Sequence, residues 1–303
     1  MAGSADLGTK DRMITAVDGH QHFWDPARVG LPWLRPEHGI LARAFEPGDL
    51  EPLLSGAGVA RTILVQSACA DGDNGLMFEH ARGRDWIAAV VAWLPLESPE
   101  RTALRLEELA AEPKLRGVRH QIHDEPDPHW ILQPNVLESL QLLEARRLVL
   151  ELPAVWPRHL PDVPELARSF PELTIVVDHL GKPPLDGGAA DLEAWAGELR
   201  AAADSGPNVA AKISGLNTAT SKLDWSAADL ESCIRTALDA FGAERLLCGS
   251  DWPYALLNGG YQRIWSGTRR ALAAVAPDGQ EQLLARTAER LYRLPAEAGD
   301  GAH

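Results

Sequence analysis

The sequence predicts an α/β fold closed as a (β/α)8 TIM-like barrel, and three observations predict it. Eight apolar, β-rich runs recur with helical segments between them, the rhythm of repeated βα units around a parallel sheet. No glycine-rich phosphate turn follows the first run, which argues against an open doubly wound sheet. The chain has 303 residues, enough for eight such units at the roughly 250 residues typical of a barrel.

Taken in order, the first strand is expected at 14–17, running into Asp18-Gly19-His20-Gln21-His22. Strand side chains alternate, so Asp18, His20 and His22 are expected on one side of the sheet. Residues 23–47, with Trp24, Trp33 and four prolines, form a loop too long for a simple connector and read as a lid. A helix at 49–56 precedes a strand at 61–66, and a helix at 74–82 precedes a buried strand at 86–93. An amphipathic helix at 99–111, with Ser98 as N-cap, leads to a fourth strand at 115–120. Helix 136–147 and strand 148–152 follow, then helix 164–170 and strand 174–178. Helix 192–203, strand 208–213, helix 227–241 and strand 245–249 complete the eight units, and helices at 261–274 and 280–292 close the chain. No linker or low-complexity tract divides it, so 13–295 is expected to be one barrel domain between disordered tails at 1–12 and 296–303.

Composition narrows the function. With 45% hydrophobic residues a large core is available. A net charge of −14 argues against nucleic acid and anionic membrane surfaces as partners and says nothing specific about a small-molecule substrate, which the strand-end residues below suggest. A homo-oligomer stays open. Three unpatterned cysteines predict neither a disulfide framework nor a zinc ribbon, and with no signal-like N-terminus or membrane-length run the default location is cytoplasmic.

In a barrel, the C-terminal ends of different strands meet around one mouth. Those ends carry His20 and His22, Gln66, His120 and His123, Glu151, His179, Lys212 and Asp251. Each has a bland alternative: capping a helix, satisfying loop backbone, or, for Lys212, pairing with Asp178 or Glu151. Their joint appearance at equivalent positions favours a site. The set offers a base in Asp251, several imidazoles and a cation, but no nucleophile. Ser214 and Ser250 lack the Gly-x-Ser-x-Gly setting, and Cys248 lies in an apolar strand. Direct attack by water fits best.

Five motifs carry a family resemblance: Val17 to Asp25, Val118 to Pro126, Asp178-His179-Leu180-Gly181-Lys182-Pro183, Lys212 to Leu216, and Gly249-Ser250-Asp251-Trp252-Pro253. Together they resemble the amidohydrolase superfamily, and within it the sugar-lactonase branch of L-fuconolactonase- and L-rhamnonolactonase-like proteins. The resemblance implies a distorted barrel that hydrolyses lactones of sugar acids, with catalytic residues Asp251, His179, His20 and His22 carried over; His120 is a further catalytic candidate, to polarise the carbonyl. It implies one divalent ion, zinc first among the candidates, held by His20, His22, His179 and Asp251 with Glu151 as an extra ligand. The alternative is a metal-free site in which the histidines donate hydrogen bonds. Where many superfamily members carry a bridging Lys on strand four and a His on strand five, this chain has Arg119-His120 and Glu151, which argues against two metals. Thr287 stands where the branch more often has Asn, far from the chemistry.

The leading expectation is opening of an aldonolactone, with Asp251 activating water and Trp24, Trp33, Gln66, Arg119, His123, Lys212 and Trp252 contacting substrate. The competing readings are a metal-dependent decarboxylase or amidohydrolase acting on a small carboxylic substrate, and a non-catalytic barrel that binds a sugar acid.

Overall fold

The structure, a computed structural model, describes residues 14–295. The expected tails at 1–12 and 296–303 lie outside the described residues. Eight strands follow in sheet order: β1 (Ala16–Gln21), β2 (Val59–Val65), β3 (Ile87–Ala92), β4 (Leu115–Arg119), β5 (Val149–Leu152), β6 (Ile175–Val177), β7 (Val209–Ile213) and β8 (Leu246–Cys248). Every neighbouring pair from β1 to β8 is parallel. Backbone bonds then return from the residues after β8 to β1: the Asp251 amide donates to the His20 carbonyl (2.8 Å) and the His22 amide to the Trp252 carbonyl (2.7 Å). The sheet therefore closes, as expected. Among the described residues no helix is long and apolar enough to cross a membrane.

The strands are buried on both faces, which is why they read as continuous β-branched runs rather than alternating ones. Val17, Ile63, Val65, Ala89, Val91, Val149, Val176, Ala210 and Leu247 fill the interior, while their strand neighbours pack outward under the helices. Ala285, Ala288 and Tyr292, on and beside the last helix (Thr287–Leu291), join the interior cluster and stopper its N-terminal end. A π-helical turn, Gln282–Arg286, precedes that helix, and the Thr287 hydroxyl donates to the Ala243 carbonyl. Thr287 is thus part of how the stopper is held.

Ser98 stands at the N-cap of the helix Pro99–Glu108 as expected, its carbonyl accepting the Thr102 amide (2.9 Å) while its side chain makes no capping bond. One local expectation is corrected. Asp18 does not share a side with His20 and His22. The pairing of β1 with β2 slips between Asp18 and Gln21, so three residues of β1 advance against two of β2. Such a bulge reverses the alternation. His20 and His22 consequently face the barrel mouth, whereas Asp18 accepts the Ser250 amide (2.8 Å) and the Ser250 hydroxyl (2.6 Å) beside Tyr261 of the outer layer.

Candidate active site

The site is built on the closing seam between β1 and β8. Two glycines let the backbones meet there: a Cβ on Gly249 would sit 2.8 Å from the His20 amide, and one on Gly19 would sit 2.8 Å from the Cys248 carbonyl. Beyond the seam, Asp251 and, at the end of β6, His179 both adopt left-handed backbone (φ 58° and 54°). Non-glycine residues seldom hold that conformation unless their surroundings impose it, and such residues cluster at functional sites.

The result is a buried polar centre. His20 Nε2 and His22 Nε2 lie 3.1 Å apart. Asp251 Oδ1 lies 3.3 Å from His22 Nε2 and 3.7 Å from His20 Nε2, and its Oδ2 lies 3.9 Å from His179 Nε2. His179 Nδ1 meets the Ser214 hydroxyl at 2.9 Å, and His22 Nδ1 donates to the Val65 carbonyl at 2.9 Å. Burial alone would raise the Asp251 carboxyl, but His179, His22 and His20 outweigh it and hold it well below the usual carboxylate range. Burial lowers His179 and His20, in His20 with Lys212 adding to the effect.

Beneath this centre lies a buried charged layer, with Lys212 and Glu151 fully enclosed at its base. Lys212 Nζ stands 2.5 Å from Glu151 Oε1, 2.9 Å from His20 Nδ1 and 3.4 Å from Asp178 Oδ1. Tyr292 donates to Glu151 Oε1 (2.6 Å), and Arg119 Nε to Asp178 Oδ2 (2.8 Å).

Above the centre opens a cavity of about 270 Å³, near the lower end of small-ligand pockets at about 300–1,000 Å³. His22, His179 and Asp251 reach it from the floor, and Arg119 and Gln66 from one wall. Trp33 and Tyr254, 5.5 Å apart at 37°, form an aromatic wall. Trp33 is held by its Nε1–H on the Ser67 carbonyl (2.7 Å), and the buried Trp24 pins the long loop by donating to the Arg43 carbonyl (2.9 Å). The loop thus serves as a fixed cover, with a short helical turn at Pro36–Leu41.

A family model described as Amidohydrolase matches residues 17–294. The chain belongs to the amidohydrolase family. This amidohydrolase is 35% identical over 299 residues to the L-fucono-1,5-lactonase of Burkholderia ambifaria, covering 95% of this chain and 99% of that one. It is 36% identical over 297 residues to the L-fucono-1,5-lactonase of Burkholderia multivorans, covering 93% and 97% respectively. A crystal structure of an amidohydrolase from Burkholderia multivorans with bound zinc superimposes with a TM-score of 0.85 at 35% identity, over 93% of this chain and all of that one.

Across this amidohydrolase the expected site residues fall into two groups. His20, His22, His179 and Asp251 converge, and Trp24, Trp33, Gln66, Arg119 and His123 join His22, His179 and Asp251 in lining the cavity. Four others stand outside its wall. His120 stacks on Trp130 (4.1 Å, 24°) and bonds to Trp93 and Glu125, so it braces a loop instead of meeting a substrate carbonyl. Trp252 packs edge-on against Phe23 and Phe45 in the core. Lys212 is sealed between carboxylates, the pairing that was its bland alternative, and cannot reach substrate hydroxyls. Glu151 Oε1 meets Lys212 and Tyr292, and the residue belongs to neither group of converging donors, so the extra-ligand expectation is corrected. Asp178, Ser67, Gln121, Lys182, Thr218 and Tyr254 line the cavity without having been singled out as site residues. Asp178 and Lys182 stood in one of the resemblance motifs and Gln121 in another, and Asp178 is also an interior position one step past β6.

The donor set suits a divalent ion. Donor atoms of His20, His22 and Asp251 lie within 4.8 Å of one another, as do those of His20, Asp178 and His179. Two imidazoles with a carboxylate match zinc's preferred ligands.

His123 gives a pH expectation. Burial, with Arg119 and Lys182 nearby, pushes it down to about 3. An imidazole lowered by folding takes up its proton first in the unfolded chain, so stability falls as pH drops from the ordinary value of 6.5 toward 3. Its side chain keeps 35% of its surface exposed, so solvent screening reduces the effect. His123→Gln is therefore expected to lose less melting temperature than wild type between pH 7 and pH 4. An equal or larger loss would contradict the assignment.

Proposed function

We propose that this amidohydrolase opens six-membered lactones of sugar acids, with L-fucono-1,5-lactone the first substrate to test. The observation that carries the reading is the convergence of Asp251, His179 and His22 on the floor of a cavity walled by Trp33 and Tyr254. The names of the relatives support the substrate class.

Water held beside Asp251 loses its proton to the carboxylate as its oxygen attacks the lactone carbonyl carbon. Asp251 is ionised at every working pH, but its depressed basicity means that the proton is held briefly and passed to the departing ring alkoxide. His179, with Ser214 supporting Nδ1, donates from Nε2 to the carbonyl oxygen as charge develops there. Trp33 and Tyr254 cover the sugar face, and Gln66 and Arg119 meet its hydroxyls. An ester leaving group needs less assistance than an amine, so one base and one donor are chemically sufficient. His20, His22 and Asp251 would hold a divalent ion, which when bound supplies electrophilic polarisation of the carbonyl.

The test is a pH-indicator screen of freshly dissolved 1,5- and 1,4-aldonolactones, run before and after chelator treatment, against the buffer-only rate. Catalysed opening of at least one 1,5-lactone is expected, with measurable turnover surviving chelation. Absence of any opening above buffer across the panel would remove the proposal. Turnover abolished by chelator and restored by zinc would replace His179 with the ion as the electrophile.

A further inference from the structure

Resting on the reading of the cavity as the seat of a lactone, we propose that Asn258 is a positioning residue. With Asn217 it locks the turn after β8 to the loop after β7, and so fixes the wall against which the sugar packs. Neither asparagine lines the cavity; Thr218 and Leu257, their neighbours in sequence, do.

That wall is built without regular strands. Thr218 ends the turn Leu216–Thr218, and Tyr254 and Leu257 belong to the turn Tyr254–Asn258. The register of β7 with β8 ends at Ile213 and Cys248, so the sheet ladder does not set the distance between these two segments. Leu257 is 41% exposed, and its place in the wall depends on the backbone that carries it more than on packing.

Asn258 supplies the hold. Its Nδ2 lies 2.8 Å from the Asn217 carbonyl, 3.0 Å from that of Lys222 and 3.2 Å from that of Thr220. Backbone carbonyls only accept, so the amide must present its nitrogen; the reverse placement would set its oxygen against three acceptors. The Asn258 carbonyl in turn accepts Asn217 Nδ2 (3.0 Å) and Trp225 Nε1 (3.0 Å). Asn217 Nδ2 also reaches the Ala255 carbonyl at 3.1 Å. Two buried amides thus grip the backbone of both segments, each holding the other's chain.

The loop after β7 is held from outside as well. Arg263, on the helix Gly260–Val275, donates to the carbonyls of Leu223 (2.7 Å) and Trp225 (2.6 Å). This clamp grips the loop beyond Lys222 and no carbonyl of the turn Tyr254–Asn258. It separates steadying the loop from placing the wall.

The experiment measures L-fucono-1,5-lactone opening by the full chain. Asn258→Ala removes the three Nδ2 contacts and keeps the backbone carbonyl with both of its donors. It is expected to raise KM about 10-fold with kcat within about threefold, the pattern of lost binding shared by ground and transition states. Asn258→Ser, which keeps one donor, is expected to fall between and decides if the alanine variant fails to fold. Arg263→Met should lose comparable melting temperature while KM stays within about twofold. An unchanged KM in a folded Asn258 variant, an equal rise in Arg263→Met, or a fall in kcat as large as the rise in KM would each overturn the proposal. A crystal structure of the same Asn258 variant is expected to show Tyr254 and Leu257 displaced, and an unmoved turn would overturn it with no substrate involved. Wild type that opens no lactone would strike the functional reading alone, since the displacement does not depend on turnover.

Discussion

Asp251→Asn is expected to lower kcat for lactone opening by about 10²–10⁴-fold, the usual contribution of a positioned base. The side chain keeps its volume and loses only its ability to take a proton. Its anchoring is main-chain, through the amide on the His20 carbonyl and its own carbonyl accepting the Ala255 amide at 2.9 Å, so the closing seam is expected to survive. The carboxylate contacts all run to His20, His22 and His179, and the asparagine side-chain oxygen can still accept hydrogen bonds there. The melting temperature should therefore stay close to wild type, and KM should change less than kcat. A folded Asp251→Asn protein with kcat within tenfold of wild type would assign the base elsewhere.

Gly215→Ala should be nearly as damaging for a different reason. Gly215 follows β7 at φ +61°, and a Cβ there would lie 2.8 Å from both Asp251 Oδ2 and His179 Nδ1. Left-handed backbone costs a residue with a side chain about 1–2 kcal/mol. The larger penalty is steric, because the methyl group wedges between base and donor. A misplacement of about 1 Å can cost about 10²-fold in rate. Gly83→Ala is the matched control, since Gly83 has φ +69° but open space where its Cβ would go. It should lose similar stability and keep its activity. Equal kcat in the two variants, with denaturant midpoints shifted alike, would show that the methyl group at 215 does not reach the centre.

How much of this was legible in the chain depends on which structural rule each residue obeys. Strand rhythm and strand-end position located His20, His22, His179 and Asp251, because a closed parallel barrel forces strand ends to one rim. Asp18 was misplaced because a one-residue bulge leaves no mark in a pattern of alternation. Lys212 and Glu151 occupy interior positions on their strands, but one level below the cavity, and sequence reports the face without the depth. Arg119 and Asp178 also pair, yet stand high enough to line the cavity. Lys182, Thr218 and Tyr254 arrive on irregular segments that have no periodicity to read.

The central claim, that the strand-end carboxylate and imidazoles surround the carbonyl of a cyclic ester, is tested most directly by a crystal structure of Asp251→Asn soaked with L-fucono-1,5-lactone. The ring is expected against Trp33 and Tyr254, with a water between residue 251 and the carbonyl carbon at about 3–3.5 Å and the carbonyl oxygen toward His179 Nε2. A fully occupied lactone bound with its carbonyl turned away from residue 251, or seated outside this cavity, would contradict the account.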